Sequence, residues 1–100
     1  MSYQIILEEE AEQDIDAATA WMAQFSPEKA TFWNFDIQDA IDSLQNFPFR
    51  CPLAPESETF GTAIRHLIFG KYRILFTVID ETVYVLRVRH SAQDVLRPDE

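Results

Sequence analysis

The chain has 100 residues, 47% hydrophobic and 25% charged, with two Gly and five Pro, and this describes one compact soluble domain rather than a collagenous, low-complexity or disordered one. The net charge of -9 is confined to residues 1–49, where ten acids face the single base Lys29; residues 50–100 balance seven acids with seven bases. An acidic chain repels polyanions at long range, which argues against a general nucleic-acid binder but does not exclude a focused site where a local arginine cluster grips one anionic target; no direct sequence-specific DNA binding by the chain itself is expected.

No apolar run approaches the ~18–20 residues that cross a bilayer, and the start lacks the cationic and long apolar regions of a signal peptide. The expectation is therefore a cytoplasmic protein with no membrane partner. The lone Cys51 rules out an internal disulfide and a cysteine zinc cage. Asp36, Asp39 and Asp42 without a histidine read as a wet helix face, and no metal or cofactor is expected. There is no phosphate-cradling glycine loop and no nucleophile elbow.

Residues 3–7 are rich in β-formers and predict a short strand. From Glu9 the period changes: Ala11, Ile15, Ala18, Trp21 or Met22, and Phe25 recur at steps of three and four, one apolar face of a helix. Glu9, Glu10 and Glu12 suit the positive end of its dipole. Ser26-Pro27 reads as N-cap and first residue of a second helix. There Ala30, Trp33, Ile37, Ile41, Leu44 and Phe47 repeat the spacing until Phe47-Pro48 ends it. Trp21 and Trp33 both read as packing residues of an antiparallel helical hairpin.

Residues 48–61 carry Pro48, Pro52 and Pro55, have no period, and predict a loop of the length that is usually functional or ordered by a partner. Strand chemistry follows over 63–69, 72–79 and 83–90. Gly70-Lys71 fits a two-residue II′ turn, pairing Phe69 with Tyr72, Leu67 with Ile74 and Arg65 with Phe76. For the second hairpin, a two-residue turn at Asp80-Glu81 would scramble both faces. A three-residue loop through Thr82 pairs Tyr72 with His90, Ile74 with Val88, Phe76 with Leu86 and Val78 with Tyr84, and it gives one almost wholly apolar face.

The opposite face then carries His66, Ile68, Arg73, Leu75, Thr77, Arg87 and Arg89. Arginines facing each other across strands cost roughly 0.2–1 kcal/mol unless something anionic covers them. Glu56, Glu58, a helix or a partner could do so. Apolar Ile68 and Leu75 among these charges make the face resemble a binding surface more than a solubilising one. Arg65 and Lys71 lie at its margins and complete the candidate binding set.

The order strand, helical hairpin, Pro-rich loop, meander, with Gly70-Lys71-Tyr72-Arg73-Ile74-Leu75-Phe76 and Val83-Tyr84-Val85-Leu86-Arg87-Val88-Arg89-His90, resembles the RelE/ParE superfamily of type II toxin–antitoxin toxins. The resemblance covers nearly the whole chain. It implies an α+β fold, with the helical hairpin packed on a small, mainly antiparallel sheet and the first strand joining the edge of the meander. It implies a toxin component, neutralised by a cognate antitoxin that wraps the sheet and helices and sets an acid on Arg73, Arg87 and Arg89.

Two activities follow from it. One is ParE-like inhibition of DNA gyrase without catalysis. The other is RelE-like, metal-independent cutting of mRNA on the ribosome, in which Arg73 would hold the scissile phosphate and His66 and His90 would be candidate acid–base groups. The acidity of the chain and the lack of a late tyrosine after His90 favour the first. The strand parity places His90 on the core side, as a structural residue at a strand end. A non-toxic binding protein on the same fold is a third reading.

Overall fold

The computed structural model describes residues 2–93 and 95–98. Strand β1 (Gln4–Leu7) leads directly into helix α1 (Glu9–Ala23), and α2 (Pro27–Asp42) returns antiparallel to it. Ser26 caps α2 as its sequence predicts, its Oγ accepting the Lys29 backbone N–H at 3.3 Å. After two 3-10 turns (Ser43–Gln45 and Pro48–Arg50) and a short helix α3 (Glu56–Phe60), the meander β2 (Arg65–Phe69), β3 (Tyr72–Ile79) and β4 (Thr82–His90) closes the chain. The sheet order is β1-β4-β3-β2, with β1 parallel to β4 and the meander antiparallel. Strand one thus joins the meander edge, as expected. The segment 48–61 is not a plain loop, because it holds both a 3-10 turn and α3.

The first hairpin has the predicted register throughout, with Phe69 opposite Tyr72 and Arg65 opposite Phe76. Gly70 sits at φ 57°, the left-handed position that the first residue of a II′ turn requires. The second hairpin combines the two registers weighed above. It turns through two residues, Asp80 and Glu81, with Asp80 at φ 55°, and pairs Ile79 with Thr82, Val78 with Val83 and Phe76 with Val85. A β-bulge at Leu75/Phe76 then leaves Leu86 as the extra residue. Beyond it the pairs are Ile74 with Val88, Arg73 with Arg89 and Tyr72 with His90. The expected partners of Phe76 and Val78 are therefore wrong. The bulge performs the one-residue shift that a longer loop would have supplied, and so the pairs beyond it agree.

The main core lies between the helical hairpin and one sheet face, where Ile15, Ile37, Leu44, Ile74, Phe76, Val83 and Val85 are buried. Trp33 joins it, its ring 5.1 Å from Tyr72 and 6.4 Å from Phe69. Trp21 and Phe25 do not: they stack on each other at 5.2 Å and remain 59% and 73% exposed. Nor does Phe47 continue the apolar face of α2, since the helix ends at Asp42 and Phe47 stands in solvent. A second, smaller core fills the other sheet face. There Ala54 and Ile64 from the Pro-rich segment, Leu75 from β3, Leu86 from the bulge and Leu96 from the tail pack together. No helix of the described residues is long and apolar enough to cross a membrane.

Candidate functional site

The face expected to display arginines to a partner is closed by the chain itself. Leu75 is 1% exposed and Arg73 9%, under Glu56, the first residue of α3. Arg73 donates through Nη1 to Glu56 Oε1 at 3.0 Å and through Nη2 to Oε2 at 2.7 Å. Glu56 Oε2 also accepts the Leu96 backbone N–H at 3.0 Å, which fixes the tail on the sheet. Burial alone would raise the Glu56 carboxyl, but the hydrogen bonds from Arg73 and Leu96, with Arg73's charge, outweigh it and hold the group at about 2. Glu56 is ionised at neutral pH and the pair is a permanent buried bridge.

His66, opposite Leu75 on β2, faces the same bridge. Its Nδ1 lies 3.1 Å from Arg73 Nη1, and because a guanidinium only donates, this nitrogen accepts. Burial first and Arg73's charge second press the imidazole below its ordinary value, against a smaller pull from Glu56. His66 is thus held neutral, the wrong form for a general acid.

Arg87 leaves the group. It is opposite Leu75 as expected, but its guanidinium is bound to α1: its Nε donates to Asp14 Oδ2 at 2.7 Å and its Nη2 to Oδ1 at 3.1 Å. The same Oδ2 accepts the Val88 N–H at 3.0 Å, in the stretch of β4 beyond the end of β1 pairing at Val85. Asp14 therefore substitutes for a missing strand. Arg89 is buried at 5% exposure. Ile68, Lys71 and Arg65 stay at the surface or half-buried, and Arg65 donates to the Cys51 carbonyl at 2.6 Å. The candidate binding residues do not share one open patch, because two acids 42 positions apart in sequence, Asp14 and Glu56, each claim one arginine.

The candidate catalytic residues are also divided. Tyr72 and His90 stack edge-on at 5.1 Å, and Tyr72 in turn meets Trp33 of α2, so this end of β4 belongs to the helix side of the sheet. His90 Nδ1 accepts the Ala92 N–H at 3.0 Å and its backbone N–H donates to Gln93 Oε1 at 2.8 Å. Arg73 and His66 lie on the opposite side, under α3. No phosphate can be held by Arg73 and meet both histidines at once. What the second face offers instead is a cleft of about 580 Å³, lined by Phe60, Ile64, Leu75, Thr77, Leu86 and Leu96, among others, and reached by Glu8, Glu10 and Arg87. Its volume suits several apolar side chains. Among the described residues no group of three His, Cys, Asp or Glu could hold a metal.

The sequence matches the family described as ParE toxin of the type II toxin–antitoxin system parDE over residues 5–95. The chain belongs to that toxin family. It is also 31% identical over 80 residues to the curated Toxin RelE2 of Caulobacter vibrioides, covering 80% of this chain and 85% of the relative. Among solved structures, the chromosomal ParDE toxin–antitoxin system from P. aeruginosa superposes with a TM-score of 0.72 at 23% identity, covering 89% of this chain and 96% of the other. The toxin–antitoxin complex RelBE2 from Mycobacterium tuberculosis does so with a TM-score of 0.59 at 23% identity, covering 90% and 99%. The fold is therefore that of the RelE/ParE toxins, and the protein is a toxin of a type II toxin–antitoxin system.

From sequence Glu56 was named with Glu58, as an acid able to cover the arginines and as a candidate carboxylate base of the cutting activity, and Asp14 was not singled out. Asp14 carries one signal in retrospect: it lies one residue before Ile15, on the flank of the buried stripe of α1 rather than opposite it.

Proposed function

We propose that this toxin acts in the ParE manner, in the cytoplasm, by binding and inhibiting an essential target such as DNA gyrase without cutting RNA, and that a cognate antitoxin protein neutralises it. The observation that carries the reading is the division of the catalytic candidates between two sheet faces: His66 and Arg73 under α3, His90 against Tyr72 on the helix side. Cleavage by a neighbouring 2′-hydroxyl needs a base, an acid and a cation converging on one phosphate. Here the cation is bound to Glu56, and one histidine is kept neutral first by burial and then by that same cation. An antitoxin partner is supported by the two solved neighbours, which are described as toxin–antitoxin systems.

A supercoiling assay with purified gyrase tests the target. Inhibition that is relieved by the cognate antitoxin supports the reading; normal supercoiling at saturating toxin removes it. The relative named RelE2 favours one alternative, ribosome-dependent mRNA cleavage, and translation extracts containing intact ribosomes decide it by the appearance of cut transcripts.

A further inference from the structure

The connection between α2 and β2 holds a side chain out of the core against the preference of its own backbone. Phe47 adopts φ 51° and ψ 54°, left-handed backbone that an L side chain rarely takes, and Pro48 follows it. At 80% it is the most exposed of the large hydrophobic residues among those described. The conformation is clamped. Arg50 Nη1 donates to the Asn46 carbonyl at 2.7 Å and to the Phe47 carbonyl at 3.2 Å, while its Nη2 donates to Ser43 Oγ at 3.0 Å. Strain that the surroundings over-determine, with no gain in burial, marks a segment kept in that shape for contact.

Two further apolar residues of the same connection are exposed, Phe49 and Leu53, at 56% and 55%. The Arg65 guanidinium lies over the Phe49 ring at 5.0 Å, and Leu53 forms an isolated bridge with Arg65. The charge here is reversed relative to the helical hairpin and the strand before it, since residues 1–42 hold ten acids and one base. In a chain of 17 acids and eight bases, residues 43–55 contain no acid at all. Among the described residues neither Arg50 nor Arg65 makes an ion pair, and both donate only to neutral oxygens, whereas Arg73 and Arg87 each hold a carboxylate. Their two charges act on the same buried Cys51 thiol, so they share one neighbourhood.

We propose that Phe47, Phe49 and Leu53, with the guanidinium groups of Arg50 and Arg65, form the seat for an acidic, apolar segment of the antitoxin. This rests on the reading of the chain as a toxin with an antitoxin partner, and it moves the expected acid–arginine contact from Arg73 and Arg87, which carry internal carboxylates, to the two arginines that do not. An occupant must supply apolar side chains for the exposed rings and carboxylates for two cations.

Phe47→Gly separates docking from folding, because glycine relieves the left-handed backbone while deleting the ring. The full-length chain is titrated with the purified antitoxin by calorimetry, beside a thermal melt of each variant. The expected result is an unchanged or raised Tm with binding weakened by about ten-fold or more, and the same loss in Leu53→Ser. Affinities within about two-fold of wild type in both variants overturn the proposal while leaving the antitoxin reading intact. If the wild-type chain itself does not bind the antitoxin, that reading fails and the proposal fails with it. A variant that abolishes self-association yet binds antitoxin normally assigns the patch to a second copy and likewise overturns it.

Discussion

Arg73 and Glu56 meet through two parallel hydrogen bonds of 3.0 and 2.7 Å, with the carboxylate fully buried and a third bond arriving from the Leu96 N–H. This one contact joins the centre of the sheet, the short helix α3 and the C-terminal segment. A buried pair is costly to form, so its removal in halves and in whole gives different results. Glu56→Gln should destabilise the fold by about 3–5 kcal/mol, since it leaves a buried guanidinium without its counter-charge. Glu56→Leu with Arg73→Met should recover at least half of that loss. Urea denaturation of the three proteins checks both statements.

The same site sets how the fold responds to acid. Glu56 is lowered from 4.5 to about 2, so the unfolded chain takes up a proton before the native one does, and the stability held above pH 4.5 is lost as pH falls toward 2. His66 is also lowered, from 6.5, and again the unfolded chain protonates first; stability therefore begins to fall as pH drops through 6.5. A plot of unfolding free energy against pH should show both windows. His66→Asn should remove the upper one and leave the lower.

Asp14 joins α1 to the part of β4 that β1 does not reach. Asp14→Asn keeps one acceptor for the Val88 N–H but loses the charge on Arg87, and because both side chains are partly exposed the expected cost is about 1–2 kcal/mol. Hydrogen exchange at Val88 should accelerate more than exchange at Ile74.

Gly70 has open space where a Cβ would stand, so Gly70→Ala is penalised only by its φ of 57°. The expected loss is about 1 kcal/mol, read from the denaturant midpoint with the denaturant slope unchanged.

Much of this architecture was legible from periodicity. The helical hairpin, the first strand turn and the pairing of Tyr72, Arg73 and Ile74 with His90, Arg89 and Val88 all follow from apolar spacing and turn residues. The bulge was not, because a two-residue turn with one extra residue and a three-residue loop give identical pairs from Leu75 to Tyr72, and they part only between the bulge and the turn, where Phe76 meets Val85 rather than Leu86 and Val78 meets Val83 rather than Tyr84. The helix faces were misread at Trp21, Phe25 and Phe47 for a related reason: period shows that residues share a side, not what covers it. The arginine face failed differently. Its sidedness was correct for Arg73, but Glu56 lies 17 residues earlier in a segment without period, and nothing local shows that it folds back over the sheet.

The division of Arg73 and His66 from His90 across the sheet is the claim on which the functional reading turns, and growth arrest by a double variant tests it most directly. His66→Asn with His90→Asn keeps an acceptor for Arg73 and for the Ala92 N–H, so the fold and antitoxin binding should survive. The expected result is full growth arrest on induction, with cellular transcripts uncut and plasmid supercoiling relaxed. Loss of arrest in a double variant that still folds and still binds its antitoxin would contradict the account and return the histidines to catalysis.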